Sequence, residues 1–133
     1  MNLKIQNVSL TIQRRLIVND VSITVDPGEI VGLMGPNGAG KTTTFNIAVG
    51  NIKPDKGKIF MNDKNITNFP LPIRSRLGLG YLTQEASIFR DLTVKENIDL
   101  ALQNSTYSAA AIRNRREQLI NEFNLNNFVD NYG

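Results

Sequence analysis

The stretch Gly35-Pro36-Asn37-Gly38-Ala39-Gly40-Lys41-Thr42-Thr43 matches in full the G-x-x-x-x-G-K-[ST] pattern of a phosphate-binding loop. The short apolar run Ile30-Val31-Gly32-Leu33-Met34 enters this loop and predicts a buried strand. Residues 42–49 leave it with the apolar spacing of a helix, which Gly50 is well placed to end. The sequence around the motif therefore predicts a strand, a loop and a helix in that order.

The residue types in this loop suit a nucleoside triphosphate, whose negative charges need many donors that converge from one side. Gly35, Gly38 and Gly40 leave room for backbone amides to face the phosphates. A helix that begins near Lys41 adds unpaired N–H groups and the positive end of its dipole. We therefore expect Lys41 to reach the β- and γ-phosphates of a nucleoside triphosphate. We expect the Thr42 hydroxyl to bind Mg²⁺, which prefers oxygen ligands.

The composition is that of one soluble domain or part of one, with 133 residues of which 41% are hydrophobic. No run approaches the ~18 apolar residues of a membrane span, and residues 1–6 lack the apolar core of a signal peptide, so we expect a cytoplasmic protein. The absence of cysteine excludes disulfides and thiolate zinc sites. The absence of histidine means that no imidazole of this chain serves as a catalytic base.

The charge pattern gives little support to nucleic-acid binding. The formal net charge is +3, and seven of the eight arginines fall in small groups within residues 14–15, 74–76 and 113–116, with no aromatic residues between them. Aromatic side chains beside a basic patch are typical of proteins that stack on bases. We therefore expect the arginines to lie on solvated faces, and we predict no nucleic-acid partner.

The rest of the chain predicts a β layer followed by helices. Leu3–Ile12, with a slip at Gln6-Asn7, and Leu16–Val25 alternate as strands do, and residues 26–29 predict a turn after them. Thr93-Val94-Lys95-Glu96 is a capping box that opens a helix. The other predicted elements are an edge strand at Lys58–Met61, a helix at Pro72–Leu77, a buried strand at Leu79–Thr83 and a helix from Ser108 to about Asn124.

The residues around the loop narrow the choice among phosphate-loop families. Val21-Ser22, residues 27–33 and residues 35–43 resemble the nucleotide-binding subunits of ATP-binding-cassette (ABC) transporters. Tyr81-Leu82-Thr83-Gln84-Glu85 is similar to their glutamine loop. The resemblance implies an α/β phosphate-loop core of the ABC ATPase type, with an antiparallel β layer and the start of a helical subdomain. It also implies that Gln84 approaches Mg²⁺ and the attacking water.

Within this family, residues 42–45, 78–82 and 84–92 are similar to the ATPases of lipopolysaccharide exporters of Gram-negative bacteria. The resemblance implies that Glu85–Leu92 borders a groove that receives transmembrane permease subunits, with Phe89 as an apolar anchor. An ordinary core position is the alternative for Phe89. The resemblance further implies a homodimer at full length, located on the inner face of the cytoplasmic membrane.

The chain departs from the family pattern in three places. Ile12 stands where the family usually has an aromatic residue against adenine, and an isoleucine covers the base but does not stack on it. Thr83 replaces the usual proline before Gln84. The sequence ends at Gly133, where a Leu-Ser-Gly-Gly signature would be due, and it contains no apolar run that ends in Asp-Glu. We therefore expect residues 1–133 to be the N-terminal part of one nucleotide-binding domain, truncated before the signature and incomplete for hydrolysis.

Several hypotheses remain open at this point. The leading hypothesis is the first half of a transport ATPase of the lipopolysaccharide-export type. The ATP-binding subunit of another ABC transporter, such as a branched-chain amino-acid importer, is the next. A nucleotide-binding fragment without turnover is a third. A phosphate-loop kinase or GTPase is a fourth, and it predicts acceptor or base-reading motifs that the sequence does not contain.

Overall fold

The protein is represented by a computed structural model that describes residues 1–84, 87–103 and 108–133. The contacts within the chain divide it into two units, Met1–Tyr81 and Leu82–Gly133. The elements of the first unit are β1 (Leu3–Ile12), β2 (Arg15–Val25), α1 (Lys41–Val49), β3 (Lys56–Met61), β4 (Lys64–Asn65) and α2 (Leu71–Arg76). The elements of the second unit are α3 (Val94–Gln103) and α4 (Ala109–Glu122).

The β layer is a four-stranded antiparallel sheet in the order β2-β1-β3-β4. A two-residue turn, in which Gln13 and Arg14 both have positive φ, joins β1 to β2 and pairs Ile12 with Arg15. The expectation of an edge strand at residues 58–61 is wrong, because β3 begins at Lys56 and lies between β1 and β4. The predicted antiparallel layer itself is confirmed.

The slip in the alternation of β1 is a bulge. Asn7 has a φ of 49°, and the pairing of β1 with β2 shifts register between Ile5 and Val8. The extra residue returns Val8 to the face of the sheet on which Ile5 lies, so both side chains are buried. The break predicted at Gln6-Asn7 is therefore confirmed, and it keeps the apolar side of the strand on the core.

The core of the first unit lies between this sheet and α1. Helix α1 buries residues 44 and 47–49, all of them beyond its first turn. Gly50 ends the helix with a left-handed backbone, as predicted. The buried hydrophobic cluster comprises Ile5, Val8, Leu10, Val18, Ile47, Ala48, Ile59, Met61 and Ile66.

The two predicted buried strands do not form. Residues 30–34 and 79–83 have no strand assignment, Ile30 is 98% exposed and Met34 is 91% exposed. An apolar run predicts burial but does not supply hydrogen-bonding neighbours, and none of the strands in the described ranges pairs with either segment. Without a neighbouring strand, the backbone of a central strand has no ladder to join.

The expectation that the arginines lie on solvated faces is wrong for Arg74, whose exposed fraction is 1%. Its side chain runs inward from α2 and donates hydrogen bonds to backbone carbonyl groups. Burial lowers the pKa of its guanidinium. Helix α2 itself lies one residue earlier than the predicted Pro72–Leu77.

The second unit contains the predicted capping box at the start of α3. Glu96 accepts hydrogen bonds from the backbone N–H and the hydroxyl of Thr93, and the Thr93 hydroxyl accepts one from the Glu96 N–H. Arg116 of α4 donates two hydrogen bonds to Asp99 of α3, at 2.8 and 3.0 Å. The capping box stabilises the start of α3, and the Arg116–Asp99 ion pair joins α3 to α4. In the part of the chain that the structure describes, no helix is long and apolar enough to cross a membrane.

Candidate nucleotide site

The phosphate loop, residues 35–43, leads directly into helix α1. The first backbone amides of this helix have no intrahelical partner. Gly40 is the N-cap residue of α1, and no side chain caps that end. The first helical hydrogen bond joins the Thr44 N–H to the Gly40 carbonyl, so the N–H groups of residues 41–43 lack an acceptor within the helix. The first turn also contains no acidic residue. This helix end is therefore suited to an anionic ligand.

The side chain of Lys41 lies across the phosphate loop. Its Nζ donates hydrogen bonds of 2.7 Å to the carbonyl oxygens of both Gly35 and Pro36. These bonds hold the Lys41 ammonium group against the backbone at the start of the loop. A phosphate group that enters the loop meets a cation already held there.

The hydroxyl groups after Lys41 differ in their surroundings. Thr42 is exposed, whereas Thr44 is buried and its hydroxyl donates to the Gly40 carbonyl at 2.9 Å. Across the described ranges, no group of three or more carboxylates could hold a metal ion. The exposed Thr42 hydroxyl offers one oxygen to a Mg²⁺ ion, which usually takes its other ligands from phosphate oxygens and water.

Ile12 lies at the end of β1, and 42% of its surface is exposed. The N-terminus of α1 contacts the same end of the hairpin, because a Cβ on Gly40 would lie 2.5 Å from the carbonyl oxygen of Ile17. Ile17 is two residues along β2 from Arg15, the partner of Ile12, which is about 7 Å of strand. The first unit thus brings together the hairpin end that carries Ile12 and the start of the phosphate-loop helix.

Gln84 and the predicted docking stretch belong to the second unit. Gln84 is exposed, and Phe89 is 60% exposed, so Phe89 is not a core residue within its own unit. Glu85 and Ala86, which the sequence also assigns to this stretch, lie outside the described residues. The backbone of Phe89 is held by the Asn97 amide, which accepts from the Phe89 N–H at 2.8 Å and donates to its carbonyl at 3.0 Å.

Sequence reasoning missed two residues that organise these regions, Arg74 and Asn97. Arg74 binds the end of α1, and no local pattern marks an arginine for burial. Asn97 also donates to the carbonyls of Leu92 and Thr93, one turn before it. The spacing between Thr93 and Asn97 is a weak signal for this contact, since any polar residue one turn into a helix has it.

A family model described as ABC transporter matches residues 18–132 of the chain. The chain is 44% identical over 131 residues to the lipopolysaccharide export system ATP-binding protein LptB of Acidithiobacillus ferridurans. It is 46% identical over 129 residues to the protein of the same name from Escherichia coli K12. These alignments cover 98% and 96% of the chain and 54% of each relative, so the chain spans about half the length of these curated relatives.

Solved structures agree with this assignment and confirm the predicted fold class. The structure of an ATP-binding subunit of an ABC transporter matches with a TM-score of 0.83 and 29% identity, over 99% of this chain and 54% of the other. A nucleotide-free ATP-binding cassette matches with a TM-score of 0.80 and 24% identity, over 99% and 58%. The chain belongs to the ABC transporter family, and it corresponds to about half of one of that family's ATP-binding subunits.

Proposed function

We propose that the phosphate loop binds the triphosphate of ATP, with Gly35, Pro36, Asn37, Gly38, Ala39, Gly40, Lys41, Thr42 and Thr43 as the binding residues. The observation that carries this proposal is the uncapped N-terminus of α1 beside the Lys41 ammonium. The amides of the first turn bind phosphate oxygens, and Lys41 exchanges the loop carbonyls for the β- and γ-phosphates. Thr42 holds Mg²⁺, which neutralises phosphate charge when it is bound.

Two further residues complete the proposed nucleotide site. Ile12 covers the adenine ring from the end of the hairpin, through apolar contact without stacking. Gln84 approaches Mg²⁺ and orients the attacking water. The sequence contains no histidine and no apolar run that ends in Asp-Glu, so we propose that hydrolysis needs groups outside these 133 residues.

The whole protein is proposed to be the ATP-binding subunit of a lipopolysaccharide exporter. Its support is the 44–46% identity to export ATP-binding proteins over nearly all of this chain. In this role two copies of the full-length subunit act together, on the cytoplasmic side of the inner membrane. Residues 85–92 bind the transmembrane subunits, with the exposed Phe89 as the apolar anchor and Arg90 at its rim.

A comparison of nucleotides tests the proposed site. The purified chain is titrated with Mg-ATP, Mg-ADP and AMP, and the dissociation constants are compared. Because the loop recognises the β- and γ-phosphates, affinity should decrease from ATP to ADP and should be weakest for AMP. Equal affinity for the three nucleotides, or none for ATP, would contradict a triphosphate site.

A further inference from the structure

The most unusual buried group in the first unit is the guanidinium of Arg74. Its Nε donates to the Phe69 carbonyl at 2.7 Å, and its Nη2 donates to the Thr67 carbonyl at 3.1 Å. Its Nη1 donates to the Ile47 and Ala48 carbonyls at 2.9 and 2.6 Å. Within the described residues, no carboxylate forms a salt bridge with it. A buried cation is costly unless it is satisfied, and here backbone carbonyl dipoles alone satisfy it.

Two of these four carbonyl groups belong to the last turn of α1, the phosphate-loop helix. The C-terminal end of a helix carries unpaired carbonyls and the negative end of the dipole, and a cation there is stabilising. Arg74 therefore binds the one end of α1 that needs a donor with positive charge. It also ties that end to residues 67–69, which lie after β4.

The two ends of α1 differ in their capping and in their burial. The N-terminal end has a glycine cap with no side-chain hydrogen bond, and Lys41, Thr42 and Thr43 are not fully buried. Three of the four buried residues of the helix, Ile47, Ala48 and Val49, lie in its last turn, and the fourth is Thr44. The first amides of α1 stay open for a ligand although Gly40 packs against Ile17, and most of the contacts that fix the helix lie at its C-terminal end.

Gly50 shows how closely the guanidinium is packed against this helix end. A Cβ on Gly50 would lie 2.7 Å from both the Arg74 Nε and the Phe69 carbonyl oxygen, and the residue has a φ of +91°. The Arg74 side chain thus packs directly against the backbone of Gly50. This contact leaves the helix end little freedom to shift.

We propose that Arg74 is a positioning residue for nucleotide binding, which holds α1 by its C-terminal end so that the first-turn amides face the phosphates. The inference rests on the proposed nucleotide site. Helix α1 has nine residues and is about 13 Å long, so Arg74 acts through the helix and does not touch the ligand. Its loss removes the Arg74 donor from the Ala48 carbonyl and leaves the Ile47 carbonyl with only the 3.3 Å hydrogen bond from the Gly50 N–H, so the helix end is held less firmly.

The test measures the affinity of Arg74→Met and Arg74→Lys for Mg-ATP and for inorganic tripolyphosphate. Each titration is made at a temperature at which circular dichroism shows the variant to be folded. Arg74→Met should bind both ligands roughly five- to tenfold more weakly than the unchanged chain, since it loses the helix-end contact. Arg74→Lys keeps the charge and some of the donors, so it should recover part of the affinity.

Val8→Ala is the control for a purely structural role, because Val8 is fully buried in the core but its side chain makes no hydrogen bond to the end of α1. It should lower the melting temperature and leave both affinities unchanged. Unchanged affinities in folded Arg74→Met and Arg74→Lys, despite lower melting temperatures, would overturn the inference and leave the nucleotide site intact. Failure of the unchanged chain to bind either ligand would instead contradict the proposed function, and the inference with it. If Arg74→Met does not fold, the affinity of folded Arg74→Lys decides the question: weaker binding of both ligands supports the inference, and unchanged binding overturns it.

Discussion

Gly40 and Ile17 are in direct backbone contact: a Cβ built on Gly40 would lie 2.5 Å from the Ile17 carbonyl oxygen. Gly40 also has a φ of +85° and is the N-cap residue of α1. This contact sets the start of the phosphate-loop helix against β2. The glycine of the motif is therefore needed for packing within the first unit as well as for access to the ligand.

Gly40→Ala should destabilise the first unit and abolish Mg-ATP binding. The left-handed backbone alone costs about 1–2 kcal/mol for a residue with a Cβ, and the contact with Ile17 adds to this. Thermal unfolding followed by circular dichroism measures the loss. Gly32→Ala is the matched control, because a Cβ there would meet nothing within 4 Å. Equal melting temperatures for the two variants would show that the contact is unimportant.

Ile12→Tyr should tighten the binding of ATP severalfold, because an aromatic ring stacked on adenine is worth about 0.5–1.5 kcal/mol beyond its buried area. The affinity for inorganic tripolyphosphate, which has no base, should not change. Ile73→Tyr, at a similarly exposed aliphatic position on α2, serves as the control. If Ile12→Tyr has no effect on ATP, or an equal effect on tripolyphosphate, then residue 12 does not face the base.

The capping box of α3 should make the second unit sensitive to acid. The hydrogen bonds from the Thr93 backbone and hydroxyl lower the pKa of Glu96 below its ordinary value of 4.5. A carboxylate with a lowered pKa stabilises the fold above its unfolded-state pKa, and this contribution is lost as pH falls through the folded-state pKa. Stability should therefore decrease below about pH 4.5.

Denaturant unfolding at several pH values measures this effect. Glu96→Gln keeps an acceptor for the Thr93 N–H but does not titrate, so its stability should vary less with pH across that range. Glu117→Gln, on the exposed part of α4, should behave like the unchanged chain. A Glu96→Gln variant with the same acid dependence as the unchanged chain would refute the role of the capping box.

Local patterns predicted the loop, the α1 start, the β1 bulge and the capping box, because each depends on residues within a few positions of one another. The failures at residues 30–34 and 79–83 have a different origin. Whether an apolar run becomes a strand depends on a neighbour that its own sequence does not contain. The prediction of a solvated Arg74 is wrong for a related reason. Its acceptors at Ile47 and Ala48 are 26–27 residues away in the chain.

Gln84→Ala and Phe89→Ala should impair different properties of the full-length subunit, namely ATP turnover and assembly. Both variants are co-expressed with the transmembrane subunits. Phe89→Ala removes an exposed apolar side chain and no phosphate contact, so co-purification should weaken while ATP binding remains. Gln84→Ala should reduce ATP turnover while assembly persists. Normal co-purification of Phe89→Ala would place the docking surface elsewhere.

The most direct test of the nucleotide site is the affinity of the chain for Mg-ATP before and after Lys41→Ala. Lys41 already lies across the phosphate loop, 2.7 Å from the Gly35 carbonyl oxygen, so its removal takes the only lysine of residues 35–43 from the proposed phosphate site. Calorimetric titration should show affinity reduced about tenfold or more in Lys41→Ala, and unchanged in Lys58→Ala on the exposed side of β3. Equal affinities for the unchanged chain and Lys41→Ala would contradict the account.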